Sequence, residues 1–104
     1  MIDCIVYVDH PARNRLELQD WLEREFGERL DAERNDDYEA ARAREFPDGF
    51  LHFRFRIEVD SRAVTERLLP LLWERGLPAV AACDYEDELP EKGGYKSRAI
   101  PWPA

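Results

Sequence analysis

Five of the eight residues from Asp84 to Glu91 are carboxylates: Asp84, Glu86, Asp87, Glu88 and Glu91. None of the eight is basic. Like charges crowded into one short segment repel one another, and a cationic partner relieves that repulsion. Tyr85 sits among them, a rigid aromatic of the kind that anchors interfaces. A second acidic run, Glu28 to Glu39, holds Glu28, Asp31, Glu33, Asp36, Asp37 and Glu39 against only Arg29 and Arg34, again with a tyrosine, Tyr38. The plainer reading of both is a solvated acidic surface. Clustered carboxylates also suit calcium or magnesium, but the segment after Tyr85 lacks the spacing and the glycine of an EF-hand loop. No metal and no cofactor is expected. The binding reading therefore selects Asp84, Tyr85, Glu86, Asp87, Glu88, Asp36, Asp37 and Tyr38 as contacts for a basic protein.

Other reactive side chains are sparse. His52, Arg54 and Arg56 alternate along one strand face and would form a column able to meet an anion, or one whose charges pair with Asp3 and Glu58. His10 follows Asp9 ahead of a helix, where it serves as a general acid or base or simply as a neighbour of the helix cap. There is no nucleophile elbow, P-loop, dinucleotide fingerprint or His-x-x-x-His pair. Cys4 and Cys83 are the only cysteines. Their wide spacing makes neither a disulfide framework nor a zinc site, so two buried free thiols and a cytoplasmic setting are expected.

The elements that position these residues follow from hydrophobic spacing. Ile2 to Val8 alternates as a strand rich in β-branched residues. Leu18, Trp21, Leu22 and Phe26 recur at three and four, predicting a helix from about Pro11 to Phe26 closed by Gly27. Arg29 to Arg34 reads as a strand carrying Leu30 and Ala32. Tyr38 to Phe46 is either helix or the arm of a hairpin, and Pro47-Asp48-Gly49 is a turn. Phe50 to Val59 alternates most strongly, with Leu51, Phe53, Phe55, Ile57 and Val59 on one side. Asp60 or Ser61 then caps a helix from about Arg62 to Arg75, with Val64, Leu68, Leu71 and Leu72 as its buried stripe and Pro70 inside it. Ala79 to Tyr85 is a last core strand, and residues 86–104 form a loop or tail.

The order strand, helix, strand, strand, helix, strand resembles the ferredoxin-like split βαβ fold: α+β, a four-stranded antiparallel sheet with two helices on one face, β1 and β3 central. At 104 residues the chain is expected to be a single domain, with its ordered core over about residues 2–85. Its 44% hydrophobic content argues against disorder despite 37% charged residues. The apolar blocks are too short to cross a bilayer, and the first residues lack the basic start of a signal peptide.

Net charge is −8, which repels nucleic acid and anionic membranes and attracts basic proteins. With its small size and clustered acids, the chain resembles the small acidic immunity proteins of bacterial toxin systems. That resemblance implies a non-enzymatic inhibitor, monomeric or homodimeric, that covers a basic toxin enzyme such as a nuclease with its carboxylates. Two other readings stand beside it. The strand Ile5-Val6-Tyr7-Val8-Asp9 resembles the start of the VapD group and its CRISPR-associated relatives, which implies a metal-dependent nuclease on a ferredoxin-like dimer with Asp9 at its site. A regulatory or ligand-sensing module would instead use His52, Arg54 and Arg56.

Overall fold

A computed structural model describes residues 3–36, 53–85, 88, 89 and 93. Six elements follow in order: β1 (Cys4–Val8), α1 (Arg15–Glu25), β2 (Asp31–Arg34), β3 (Phe55–Val59), α2 (Arg62–Glu74) and β4 (Ala79–Ala82). The strands form one sheet in the order β2-β3-β1-β4, with every neighbouring pair antiparallel and β1 and β3 at the centre. This is the expected α+β class, consistent with a ferredoxin-like arrangement. Among the described residues no helix is long and apolar enough to cross a membrane.

Alternation decides which side chains the helices cover. Cys4, Val6 and Val8 of β1, Phe55, Ile57 and Val59 of β3, Ala32 of β2 and Ala79 and Ala81 of β4 all join one buried core with Leu18 and Leu22 of α1 and Leu68, Leu69 and Leu72 of α2. Alanine in both edge strands lets the helix backbones approach the sheet closely. Two helix side chains also take outward-facing backbone groups of the edge strands. Gln19 Oε1 accepts from the Ala32 N–H at 3.0 Å, and the Trp73 indole N–H donates to the Ala79 carbonyl at 3.1 Å. Both edges are thereby partly closed to pairing with another strand.

The helix ends follow local chemistry. Asn14 caps α1, its Oδ1 accepting from the Glu17 N–H at 2.9 Å, and Ser61 caps α2 through the Val64 N–H. Gly27 and Gly76 adopt φ of 91° and 74° just beyond the two helices, the left-handed backbone that glycine accepts without a Cβ clash. α1 starts four residues later than the proline suggested. His10 Nδ1 accepts from the Ala12 N–H at 2.9 Å, so that N–H is already satisfied ahead of the helix. In α2 the buried residues are Thr65, Leu68, Leu69, Leu72 and Trp73. Val64 and Leu71 are only half-buried, so the stripe is rotated by one position from the expected one.

Three further departures matter for the surface. The chain bends at Arg54, ahead of β3, and Phe53 does not continue the Phe55–Ile57–Val59 face. It is fully buried with Tyr7 and Val80 in a second cluster, its ring 6.3 Å from that of Tyr7. The face away from the helices is therefore apolar and buried toward β1 and β4, where a wetter surface was expected. Beyond β4 the chain turns at Asp84–Tyr85, so the last strand ends at Ala82. Leu89 lies in the main core at 4% exposure, inside a segment read as loop or tail. The Tyr38 to Phe46 stretch and the Pro47-Asp48-Gly49 turn lie outside the described residues.

His10 supplies a pH test of this packing. Its ring is buried and meets the Trp21 ring edge-on at 4.7 Å. Burial holds its pKa below the ordinary 6.5, against an opposite pull from the Glu17 and Asp9 carboxylates. The neutral ring is thus the folded form. Its contribution to stability is complete above the unfolded value and is lost as pH falls from about 6.5 toward the lower folded value. The urea midpoint of the wild type should fall between pH 7 and pH 5 more steeply than that of His10→Asn, which keeps an acceptor but does not titrate. Equal slopes for the two proteins would remove His10 from the account.

Candidate functional site

The register assembles an acidic end of the sheet. One row crosses all four strands: Asp31 of β2 lies opposite Glu58 of β3, Glu58 opposite Ile5 of β1, and Ile5 opposite Ala82 of β4. Two residues further along, Asp60, Asp3 and Asp84 extend β3, β1 and β4 at the same end. The Asp3 N–H donates to the Val59 carbonyl at 2.8 Å, which holds Asp3 in place. Asp31, Asp60, Asp3 and Asp84 are exposed and Glu58 is half-buried. Asp31 and Glu58 stand on the face away from the helices, because their neighbours Ala32, Ile57 and Val59 point into the main core. Ile5 and Ala82 are half-buried on that face beside the Tyr7–Phe53–Val80 cluster. The result is a small apolar centre bordered by five carboxylates.

Among the described residues, the cations leave most of these acids alone. Arg13 pairs with Glu17, Arg29 with Asp20 and Glu23, Arg67 with Glu28, and Arg75 with Glu25. All of those pairs lie on the helices or their flanks. Among the described residues Asp31, Glu58, Asp60 and Asp84 form no ion pair. Asp3 is held by a different group: its Oδ2 accepts a short hydrogen bond from the Tyr85 hydroxyl. Burial and that carboxylate together push the Tyr85 pKa up, so the phenol stays protonated and keeps donating.

The residues selected from sequence divide. Asp84 is exposed at the acidic end. Tyr85 is half-buried beside it, under the Arg62 guanidinium at 5.2 Å from the ring centre. Glu88 is exposed, with its carboxylate 3.6 Å from Arg62 Nη1. Arg62 also holds Glu66 at 2.8 Å, so one guanidinium is shared between two acids and a ring. Asp36 is exposed but distant. The ladder continues past Arg34 through the Asn35 N–H to the Arg54 carbonyl at 2.8 Å, which places Asp36 at the opposite edge and the opposite end of the sheet from Asp84. Strand spacing and rise put the two on the order of 25 Å apart. Glu86, Asp87, Asp37 and Tyr38 lie outside the described residues. Sequence inspection missed Asp3, Asp31, Glu58 and Asp60 as one group. Pairing the candidate strands antiparallel would have aligned them.

The other candidate chemistries have these settings. Asp9 is half-buried at the end of β1, with the Arg54 Nε 3.2 Å from its Oδ1. Arg56 is half-buried on the face away from the helices, and its Nε has no hydrogen-bond partner among the described residues. His52 lies outside the described residues. Among the described residues no group of three or more His, Cys, Asp or Glu is placed to hold a metal ion. Cys4 is buried and Cys83 half-buried, and neither is in a disulfide. Comparison with protein-family models, with curated proteins and with solved structures finds no match.

Proposed function

We propose that this chain is a protein-binding module of the immunity type, which neutralises a basic enzyme by covering its cationic site with carboxylates. The observation that carries the reading is the row Asp31–Glu58–Ile5–Ala82 with Asp60, Asp3 and Asp84 at its end. Unpaired acids around a half-exposed apolar centre have the layout of a recognition surface: the centre excludes water, and the border sets orientation and rate. Long-range attraction from a net charge of −8 would speed encounter with a cationic protein. Glu86, Asp87 and Glu88 extend the acidic sequence from Asp84 and belong to the same contact in this reading. Tyr85 supports it from behind, by fixing Asp3.

The test uses the full chain as immobilised bait for an extract of the source organism at low salt, followed by elution with salt. The expected result is a retained basic enzyme, a nuclease in the leading case, whose purified activity falls to background when the chain is added in equimolar amount. Retention of nothing basic, or retention with the enzyme's activity unchanged, would overturn the reading.

A further inference from the structure

Cys4 and Cys83 are roughly 80 residues apart in sequence and neighbours in the fold. The β1–β4 register runs from Val8 opposite Ala79 to Ile5 opposite Ala82, and one step further sets Cys4 against Cys83. The ladder also gives the kind of site. The Asp9 N–H donates to the Pro78 carbonyl at 2.9 Å, so that pair is hydrogen-bonded. Bonded and non-bonded pairs alternate in an antiparallel ladder, so Cys4 and Cys83, one step past its last pair Ile5–Ala82, fall at a non-hydrogen-bonded position, where Cα atoms are about 4.5 Å apart. That lies within the range of about 4.4–6.8 Å that a disulfide spans. Both thiols face the helices: Cys4 lies in the main core and Cys83 packs against it. Cys83 is near enough to Cys4 to help raise its pKa.

We propose that Cys83 is a modification site for low-molecular-weight disulfides, with Cys4 as the resolving thiol that closes a cross-strand disulfide. The order of attack follows from exposure. Cys4 is buried to 1%, and burial, reinforced by its contact with Cys83, pushes its pKa up to about 12. It holds its proton and is shielded from reagents. Cys83 is half-buried and within reach of solvent. In the first step the Cys83 sulfur, as thiolate, attacks one sulfur of the reagent disulfide and expels one thiolate. In the second, Cys4 gives up its proton, its sulfur attacks Cys83 Sγ in the mixed disulfide, and the second reagent thiolate leaves. Two protein thiols lose two electrons, and one reagent disulfide becomes two thiols. Asp3 and Asp84 flank the pair in sequence, so a cationic reagent such as cystamine is favoured over an anionic one.

This inference does not depend on the proposed partner, since it concerns the isolated chain. Full-length protein is treated with cystamine, freed of reagent and denatured for thiol titration and intact-mass measurement. Wild type is expected to lose both titratable thiols and two hydrogens in mass, with no reagent retained. Its melting temperature should rise by about 10 °C, as expected for a crosslink closing so long a loop, and return with reductant. Cys4→Ser, with Cys4→Ala as a second variant should serine not fold, should retain one cysteamine at Cys83. Cys83→Ser should take up none while folded. Two free thiols in treated wild type, or a stable adduct at Cys83 beside an unreacted Cys4, would overturn the proposal.

Discussion

Trp73→Ala is expected to lower the unfolding free energy by about 3–5 kcal/mol, the range for truncating a large buried aromatic. Trp73 is 9% exposed in the last turn of α2, and it does two things at once. Its ring fills the core where α2 meets the sheet. Its N–H takes the Ala79 carbonyl at 3.1 Å, an outward-facing acceptor at the start of edge strand β4. Residues 75–78 alone connect that helix to that strand, so the indole fixes the point at which the chain re-enters the sheet. Trp73→Phe separates the two roles. It keeps most of the apolar contact and leaves the Ala79 carbonyl unpaired, at an expected cost of about 1–2 kcal/mol. A domain of this size has about 5–15 kcal/mol in total, so the alanine variant should be marginal at room temperature and the phenylalanine variant folded. Urea denaturation of the three proteins checks this. A loss below about 1 kcal/mol for alanine would mean that the indole is not the element that seats α2 on β4.

How far the sequence discloses this molecule depends on the range of the interactions involved. Strands and helices announce themselves through spacing within a few residues, and the order of six elements was readable because Ile5–Val8, Leu18–Leu22, Phe55–Val59 and Leu68–Leu72 each carry a clear period. Departures begin where a local rule meets a tertiary contact. Pro11 reads as a helix start, but the His10 ring takes the Ala12 N–H and the cap is Asn14. Phe53 reads as the next member of an alternating face, but the bend at Arg54 sends it to the opposite cluster. Leu89 reads as part of a polar loop and is buried in the main core. None of these is visible in a window of neighbours.

The candidate surface shows the same division at larger scale. Asp84, Tyr85 and Glu88 stood out because they are adjacent in sequence. Asp3, Asp31, Glu58 and Asp60 did not, because they come from three different strands and the register alone gathers them. Cys4 and Cys83 were read apart for the same reason. Conversely, the second acidic run was one feature in sequence and is two in space: Asp31 belongs to the Asp84 end, and Asp36 to the far corner.

Reversing charge at the acidic end should move stability and binding in opposite directions. In the isolated chain, Asp31, Glu58 and Asp84 repel one another and their neighbours Asp3 and Asp60, with no pairing cation among the described residues. The wild type should therefore melt at a higher temperature as salt is raised from about 0.01 to 0.3 M, over which screening length shortens from roughly 30 to below 10 Å. The triple variant Asp31→Lys, Glu58→Lys, Asp84→Lys should melt higher than wild type at low salt and lose most of that salt response. Toward the basic enzyme proposed as partner, the same variant should associate about 10- to 1000-fold more slowly at low salt, with the gap narrowing as salt rises. Asp36→Lys, on the order of 25 Å away by strand geometry, is the control for charge number: it should change the association rate far less than any single reversal at the acidic end. A fold selected only for its own stability would pair such carboxylates with some of its arginines. Leaving them unpaired makes sense where another molecule supplies the positive charge. If the triple variant melted lower than wild type at low salt, or if Asp36→Lys slowed association as much as Asp84→Lys, the acidic end would be no more than a share of a uniformly negative surface.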